Sequence, residues 1–421
     1  MIGTSRRFLR LLTRQHVAGP AGWSVVSRLP VYLMSLAMVL VVREQGGSYA
    51  QAGLVSALYT VGMAAGSPVI ARRVDRGGRR VVLLTTGVVY PLSLGLLVGA
   101  TGPAEPAQLA LALVAGAALP PANACMRSLW ARLPLEDDER ELAYLWEALL
   151  TELLVIGAPL MLAALMVTGS AGAALTTVAV IGGAGAVGLA LTPLPGGVTH
   201  QDERADGDRP RALLGPLHDR GMLVLTGVMA AAAVPIGLMT LAIPAFVDIH
   251  GTPGRTGLVY ACWGIGSALG ALWLGRARPG GRPVHQRFPL LLLAYAAGTA
   301  LPLLAGSELT LAAALALGGA PLALVSAAEM TLVSSLADSR LLTEAFTWAS
   351  LATVAGEAVG QQAGGLLVDP LGPHGVFAIA SGTALLAALG AFACRRLLAG
   401  TPEPVMAAGP RRSPPVRKPN P

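Results

Sequence analysis

The chain reads twice. Gly53-Leu54-Val55, followed by Gly62-Met63-Ala64-Ala65-Gly66 and Arg72, returns 204 residues later as Gly257-Leu258-Val259, Gly266-Ser267-Ala268-Leu269-Gly270 and Arg276. Pro30-Val31-Tyr32-Leu33-Met34-Ser35-Leu36-Ala37 returns 205 residues on as Pro235-Ile236-Gly237-Leu238-Met239-Thr240-Leu241-Ala242. Ala143-Tyr144-Leu145-Trp146 returns 202 residues on as Ala345-Phe346-Thr347-Trp348. A shared order and a near-constant offset exclude chance. The fold must therefore hold two related halves that run in the same sequence direction.

Composition says where those halves sit. Hydrophobic residues make up 54% of the 421 and charged residues 13%, about half the charged share of a soluble domain. Twelve apolar runs cover 21–42, 50–71, 80–100, 107–130, 142–167, 171–192, 221–247, 255–276, 288–306, 308–334, 342–368 and 374–398. Each is long enough to cross ~30 Å of hydrocarbon as a helix. None alternates as a barrel strand would. The expected fold is all-α: twelve transmembrane helices in two pseudo-symmetric six-helix bundles. Parallel repeats in a membrane imply a twofold axis along its normal and a cavity between the halves, the layout of a carrier.

Charge sets the orientation. Of the 30 Lys and Arg, 27 fall at the termini and in alternate loops, Arg43 and Arg255 lie in the opposite loops, and Arg28 lies inside a span. The positive-inside rule then places both termini in the cytoplasm, and the expected location is a plasma (inner) membrane. The basic residues set topology, so no nucleic-acid partner is expected. Cys125, Cys262 and Cys394 lack disulfide or metal spacing and read as packing residues. The basic N-terminus carries no cleavable signal. The expected organisation is a six-helix bundle over 1–192, a charged cytoplasmic linker over 193–220, a second bundle over 221–398 and a disordered tail over 399–421. Gly62/Gly66, Gly266/Gly270 and Gly356/Gly360/Gly364 let helix backbones meet closely. They read either as static packing or as the smooth faces on which the halves rock.

The loop after the second span is Ala71-Arg72-Arg73-Val74-Asp75-Arg76-Gly77-Gly78-Arg79-Arg80. Its arginines oppose translocation, and Asp75, out of keeping with that role, is expected to accept hydrogen bonds from a neighbour. On these residues the chain resembles the major facilitator superfamily of secondary transporters. Asp75, Arg76, Gly78, Arg79 and Arg80 fit that family's signature, while Ala71 stands where its first Gly is usual. In the second copy Gly275 keeps that Gly and Pro279 replaces the Asp. The resemblance implies that Asp75 is a gate residue tying the second span to the eleventh. Pro120-Pro121-Ala122, Met126 to Trp130, Tyr144 with Glu147 and Glu152, and Thr343 to Trp348 look like an actinobacterial group of that superfamily with drug-efflux-like members. Two features depart from its proton antiporters. The fifth-span motif is reduced to Gly157-Ala158-Pro159, and Arg127 lies near the cytoplasmic end of the fourth span.

Six ionisable residues fall within spans: Arg28, Glu147, Glu152, Glu329, Glu344 and Glu357. A charge at the bilayer centre costs between about 2.5 and 17 kcal/mol, so such groups face a cavity or a partner. Arg28 and Glu152 lie at similar depth and are expected to pair, either as a fixed ion pair or as a counter-charge that proton and substrate exchange. Glu147 is a relay candidate. Arg127, Glu329 and Glu344 are expected at the cytoplasmic gate, the two carboxylates near enough to the surface to snorkel. Glu357 with Gln361 one turn on, and Asn123, Trp146 and Trp348, are expected in the central cavity.

The functional expectation is a secondary active transporter working by alternating access, exporting a small amphipathic metabolite or drug against protons. Uptake of a small polar solute is the alternative. A membrane enzyme is disfavoured, because the six histidines are scattered through loops. A non-transporting receptor-like carrier lacks an appended signalling domain. No phosphate-binding Gly-x4-Gly-Lys-Ser/Thr loop is present. No cofactor or metal is expected; the partners are substrate, protons and lipid, with the monomer as the working unit.

Overall fold

The computed structural model describes residues 17–103, 105–132, 137–192, 215–250, 253–274, 283–337 and 342–399. Among the described residues its helices form twelve spans, seven or eight of them long and apolar enough by themselves to cross a membrane. An even number returns residue 399 to the face where residue 17 lies. We call this the terminal face and its opposite the far face.

The first span is broken. Ala18–Arg28 leads into a 3-10 turn at Leu29–Tyr32, then into Met34–Glu44, with a bend of 51°. Pro30 lacks the N–H that a continuing helix needs, and Leu33 takes φ −135°, ψ −11°. The second span, Tyr49–Gly77, starts on a capping box: Gln51 N–H donates to Ser48 Oγ, and Ser48 N–H donates to Gln51 Oε1. At the same face Ser307 makes such a box with Thr310 on the tenth span, and Ser170 Oγ accepts from Ala173 N–H on the sixth. Such caps satisfy donors that a helix start leaves open. The turn from the second to the third span is Gly78 at φ 123°, a conformation closed to residues with a Cβ.

The fourth and tenth runs, expected to be continuous, are not. The fourth divides into Pro106–Ala117 and Ala122–Arg132, the tenth into Glu308–Gly318 and Leu322–Leu336. Pro120 and Pro121 interrupt one, and Pro321 after a Gly pair interrupts the other. The breaks fall at equivalent places in the repeat, so the two halves bend alike. The remaining spans are Arg79–Ala100, Asp137–Thr168, Ala171–Leu191, Arg220–His250, Thr256–Leu274, Val284–Ala300 continued by Leu301–Leu304, and Leu342–Ala393. The last contains both the eleventh and twelfth, which turn over at Gly372 between Pro370 and Pro373.

The glycine pairs pack within each half and not between halves. A Cβ on Gly62 or Gly66 would strike Leu113 or Ala117 of the fourth span; one on Gly266 or Gly270 would strike Ala316 or Ala320 of the tenth. Gly356, Gly360 and Gly364 lie against Ala230, Val234 and Leu238 of the seventh. The reading of these faces as sliding surfaces is therefore corrected: a face with backbone pressed on backbone holds a half together. Outward, Val81, Val88, Leu92 and Leu96 line one exposed stripe of the third span, and Leu385, Leu386 and Leu389 another on the twelfth. Uncovered apolar stripes of this kind suit lipid.

Most of the expected linker, residues 193–214, and the tail from residue 400 lie outside the described residues. Pro20, Ser24 and Ser27 of the first span are buried, as are the residues from Met34 to Val42 except Ser35. This span and the seventh run through the middle of the protein.

Candidate functional site

The bend in the first span opens a cavity between the halves. Val31, Tyr32, Leu33, Ser35 and Leu36 form one wall, and Thr240, Tyr260 and Glu357 from the seventh, eighth and eleventh spans form the other. Its volume is about 60 Å³, room for a few waters and well short of the roughly 300 Å³ and more of a drug-sized pocket.

The repeat explains how this wall is built and where it stops being symmetric. Ser35 and Thr240 are repeat mates and both face the cavity. From the next span, Ser56 Oγ donates to Ser35 O at 3.3 Å, and its mate Tyr260 stands with Thr240 in the cavity wall. Tyr32 and its mate Gly237 differ. Tyr32 lines the cavity, whereas Gly237 is bare so that the backbone at Glu357 can lie against it. One copy supplies a phenol; the other lets a carboxylate in.

Glu357 is held across the seam. Its Oε1 accepts from Gln361 Nε2 at 3.2 Å, and Gln361 Oε1 accepts from Thr60 Oγ1 of the other half at 3.0 Å. Gln361 is fully buried and does not line the cavity; it links the cavity acid to the second span. Trp348, expected in the cavity, is half-buried and not part of this wall. Nine residues before Glu357 on the same helix, it lies about half a turn round and ~13 Å nearer the terminal face. Asn123 is likewise absent from the wall, because it begins the lower segment of the fourth span, which packs on the first and fifth spans of its own half.

Toward the far face the halves meet closely. Gly53 lies on Gln361 and Gly365, and its mate Gly257 lies on Pro159 and Ala163 of the fifth span. Tyr49 hydroxyl donates to Asp248 Oδ2 at 2.5 Å. Arg43 Nη2 stands 3.6 Å from the same oxygen, with its guanidinium 4.1 Å over the Tyr49 ring. Together these contacts run from the far face to mid-depth.

The other expected site residues scatter. Arg28 ends the first segment of span one, 2% exposed and three residues short of the cavity wall. Its expected partner Glu152 lies outside the described side chains, as do those of Asp75, Arg76, Arg127, Trp146, Glu147 and Glu344. Arg79 holds the third span to the sixth, with Nη2 donating to Leu189 O at 3.2 Å and Thr192 O at 3.3 Å. Arg80 is exposed. Glu329, expected to snorkel, is 8% exposed, seven residues inside the end of its helix, which packs on the seventh, eighth, ninth and eleventh-to-twelfth helices. Tyr32, Ser35, Thr240 and Tyr260 escaped the sequence reading, because only charges and indoles stood out from the apolar runs. The signal available for them was Pro30 together with the divergence of Tyr32 from Gly237.

Comparison with known proteins agrees with this architecture. The sequence model described as Major Facilitator Superfamily matches residues 23–284. No curated protein matches by sequence. Among solved structures, the nucleoside transporter NupG superposes with TM-score 0.72 at 11% identity, covering 89% of this chain and 98% of that one. A POT family transporter in complex with 5-aminolevulinic acid gives 0.67 at 12% identity, covering 89% and 95%. At such identities the likeness is one of fold.

Proposed function

The chain belongs to the Major Facilitator Superfamily and is a membrane transporter, not an enzyme; from that premise we propose proton-coupled export of a small amphipathic solute by alternating access. The observation that carries this reading is the cavity between the halves, with Glu357 in its wall and apolar Val31, Leu33 and Leu36 opposite. At about 60 Å³ the space is too small for such a solute, so loading requires the halves to part. Among the described residues, the contacts between them run from the far face to mid-depth. Loading from the terminal face leaves those contacts in place.

Sidedness rests on charge. With 27 of 30 basic residues in the termini and in the loops alternate to those of Arg43 and Arg255, the terminal face is cytoplasmic in a plasma membrane, and the closed face is the outer one. A solute then enters from the cytoplasm. Glu357 serves as the coupling group: a proton from outside and a solute from inside compete for it, which is the exchange an antiporter needs. Arg28 with Glu152, and Glu147 as a relay, form the corresponding counter-charge in the first half. Asp75 and Arg76, with Arg127 and Glu344, act at the cytoplasmic gate. The monomer is the working unit.

The test is reconstitution into proteoliposomes with an imposed pH gradient and ethidium as a first amphipathic probe, followed by a metabolite mixture read by mass spectrometry. Wild type is expected to move solute against the proton gradient, and Glu357→Gln to lose gradient-driven flux while keeping solute exchange. Full gradient-driven flux in Glu357→Gln would remove Glu357 from the mechanism. A second reading, uptake of a small polar solute, is favoured by the hydroxyls of Tyr32, Ser35, Thr240 and Tyr260 in the same wall. Solute accumulating on the side to which protons flow would select it.

A further inference from the structure

We propose that the solute taken at Glu357 is a protonated amine with an apolar body, its ammonium group hydrogen-bonded between Glu357 and Thr240. This names the substrate class of the cavity and rests on reading that cavity as the solute site. The case begins with a difference between the two seams. The second span meets the eleventh on one seam, and its mate, the eighth, meets the fifth on the other. On the first seam Thr60 Oγ1 donates to Gln361 Oε1 at 3.0 Å, and Gln361 Nε2 donates to Glu357 Oε1 at 3.2 Å. At the offsets of the repeat, the mates of Thr60, Gln361 and Glu357 are Gly264, Pro159 and Val155. Gly264 does lie against Val155: a Cβ on it would come 3.3 Å from a Val155 methyl. One seam carries an acid with its polar support, and the matching positions of the other carry neither.

The charge in the cavity is therefore one-sided. No Arg, Lys or His is in the wall, and Arg28 ends the helical segment before it. Bases on the surrounding helices stand toward helix ends: Arg72 and Arg73 on the second span, Arg220 and His250 on the seventh, His285 and Arg287 on the ninth. Glu329, on the tenth span packed against the eleventh-to-twelfth helix, is a second acid. Among the described residues no cation pairs with Glu357. A carboxylate within a span calls for a partner of opposite sign, and an anionic solute would meet repulsion there. Hydrogen-bond roles narrow the choice of cation. Glu357 Oε1 already accepts from Gln361, which leaves Oε2 for the solute. The Thr240 hydroxyl gives its one hydrogen to Ile236 O at 3.0 Å, so toward the cavity it can only accept. The wall thus offers acceptors from two spans, and a primary ammonium brings three donors.

The rest of the wall suits the rest of such a solute. A space of about 60 Å³ admits the ammonium head in place of waters, and the body follows as the halves part. Val31, Leu33 and Leu36 then receive it. Tyr32 and Tyr260 add aromatic rings to the same wall, and Tyr260 is set edge-on to Trp263, with centroids 5.8 Å apart at 80°. The face of such a ring attracts a cation. Proton and ammonium claim the same carboxylate, so binding of one excludes the other. The site carries the same net charge with either in place.

The test is calorimetric titration of the full chain in nanodiscs of zwitterionic lipid, with empty nanodiscs as the blank. The probes are phenethylamine, methylamine, hydrocinnamate as the carboxylate of like shape, and the trimethylammonium analogue of phenethylamine, which has no N–H. Wild type should bind phenethylamine about tenfold or more tighter than methylamine, which lacks the body, or the trimethyl analogue, which lacks the donors. It should not bind hydrocinnamate. Lowering the pH should weaken amine binding by up to about tenfold per unit, the limit for competition with one proton. Glu357→Gln should cost about tenfold or more, and Glu357→Asp, which keeps the charge, should recover part of it. Thr240→Val should weaken phenethylamine and leave the trimethyl analogue unchanged. Hydrocinnamate bound as tightly as the amine, no binding of the amine to wild type, or an amine affinity unmoved in Glu357→Gln overturns the proposal. Amine binding with these properties but no flux driven by a pH gradient would remove the coupled reading and leave the substrate class. Driven flux of hydrocinnamate and none of the amine would do the reverse.

Discussion

Thr60 and Gln361, one from each half, meet at mid-depth: the threonine hydroxyl donates to Oε1 of the amide at 3.0 Å, and both side chains are buried. The same amide donates to Glu357 at 3.2 Å, so the cavity acid is one side chain removed from the seam. Gln361→Leu strips a partner from both neighbours. A buried polar group left without a partner costs about 1–3 kcal/mol. The expected result is a lower thermal midpoint in nanodiscs together with slower transport. Thr60→Val should lose less, and the double variant should lose less than the sum of the two. Additive losses would mean that the three residues do not act as a unit.

At the far face, Tyr49 donates to Asp248 at 2.5 Å and Arg43 lies 3.6 Å away. Arg43 and Asp248 are 35% and 26% exposed, so their ion pair is worth no more than about 1 kcal/mol. The hydrogen bond to a carboxylate contributes about 1.5–3 kcal/mol. Tyr49→Phe is therefore expected to open this face more than Arg43→Gln does. A loss of about 1.4 kcal/mol is a tenfold shift in the population of closed molecules. Spin-label distances across the far ends of the second and seventh spans should report it. Equal effects from the two variants would contradict this ranking.

Much of this fold is legible in the sequence, because lipid imposes length and apolarity on every span. The twelve runs, the repeat and the resemblance at Asp75 to Arg80 all follow from local pattern. What the pattern hides is which helix meets which. Gly62/Gly66 and Gly53 look alike as small residues, yet the first pair packs on the fourth span of its own half and the other lies on the eleventh span of the opposite half. The bends in spans four and ten escaped for a related reason. Proline inside a membrane helix is often tolerated without a break, as Pro235 and Pro244 are within Arg220–His250. At the site, Glu357 stood out because charge is rare in lipid, whereas the hydroxyls around it are common enough in apolar helices to carry no signal alone.

Arg79 lies in the basic loop segment that orients the chain, and the structure also gives it a load. Its Nη2 donates to Leu189 O and Thr192 O at the end of the sixth span, where carbonyls have no helical partner and the helix dipole favours a cation. Arg79→Met should lower thermal stability through the loss of these bonds, by about 1–3 kcal/mol. Arg80→Met, at an exposed position, should leave stability unchanged. Thermal unfolding of both variants in one lipid composition decides the point. Equal, negligible shifts would return Arg79 to a purely topological role.

Gly53 and Gly257 make the last prediction, since they are the same residue in two copies and both lie at the seam. A Cβ on Gly53 would come within 2.6 Å of Gln361 O, and one on Gly257 within 2.5 Å of Pro159 O. Both neighbours are backbone, which cannot turn aside as a side chain would. Overpacking of this sort costs about 1–3 kcal/mol, but here the strain is relieved if the halves part. Gly53→Val and Gly257→Val are thus expected to leave each bundle folded and to favour molecules open at the far face. Gly62→Val strikes Leu113 within its own bundle, where no rigid-body motion relieves it, so it should lower stability instead. Thermal midpoint and maleimide labelling of Ser35→Cys, a cavity position, separate the two effects. Seam variants should label faster from the far side with little loss of stability, and the Gly62 variant should do the opposite. If all three variants simply unfolded at lower temperature with unchanged labelling, Gly53 and Gly257 would be packing glycines like the rest.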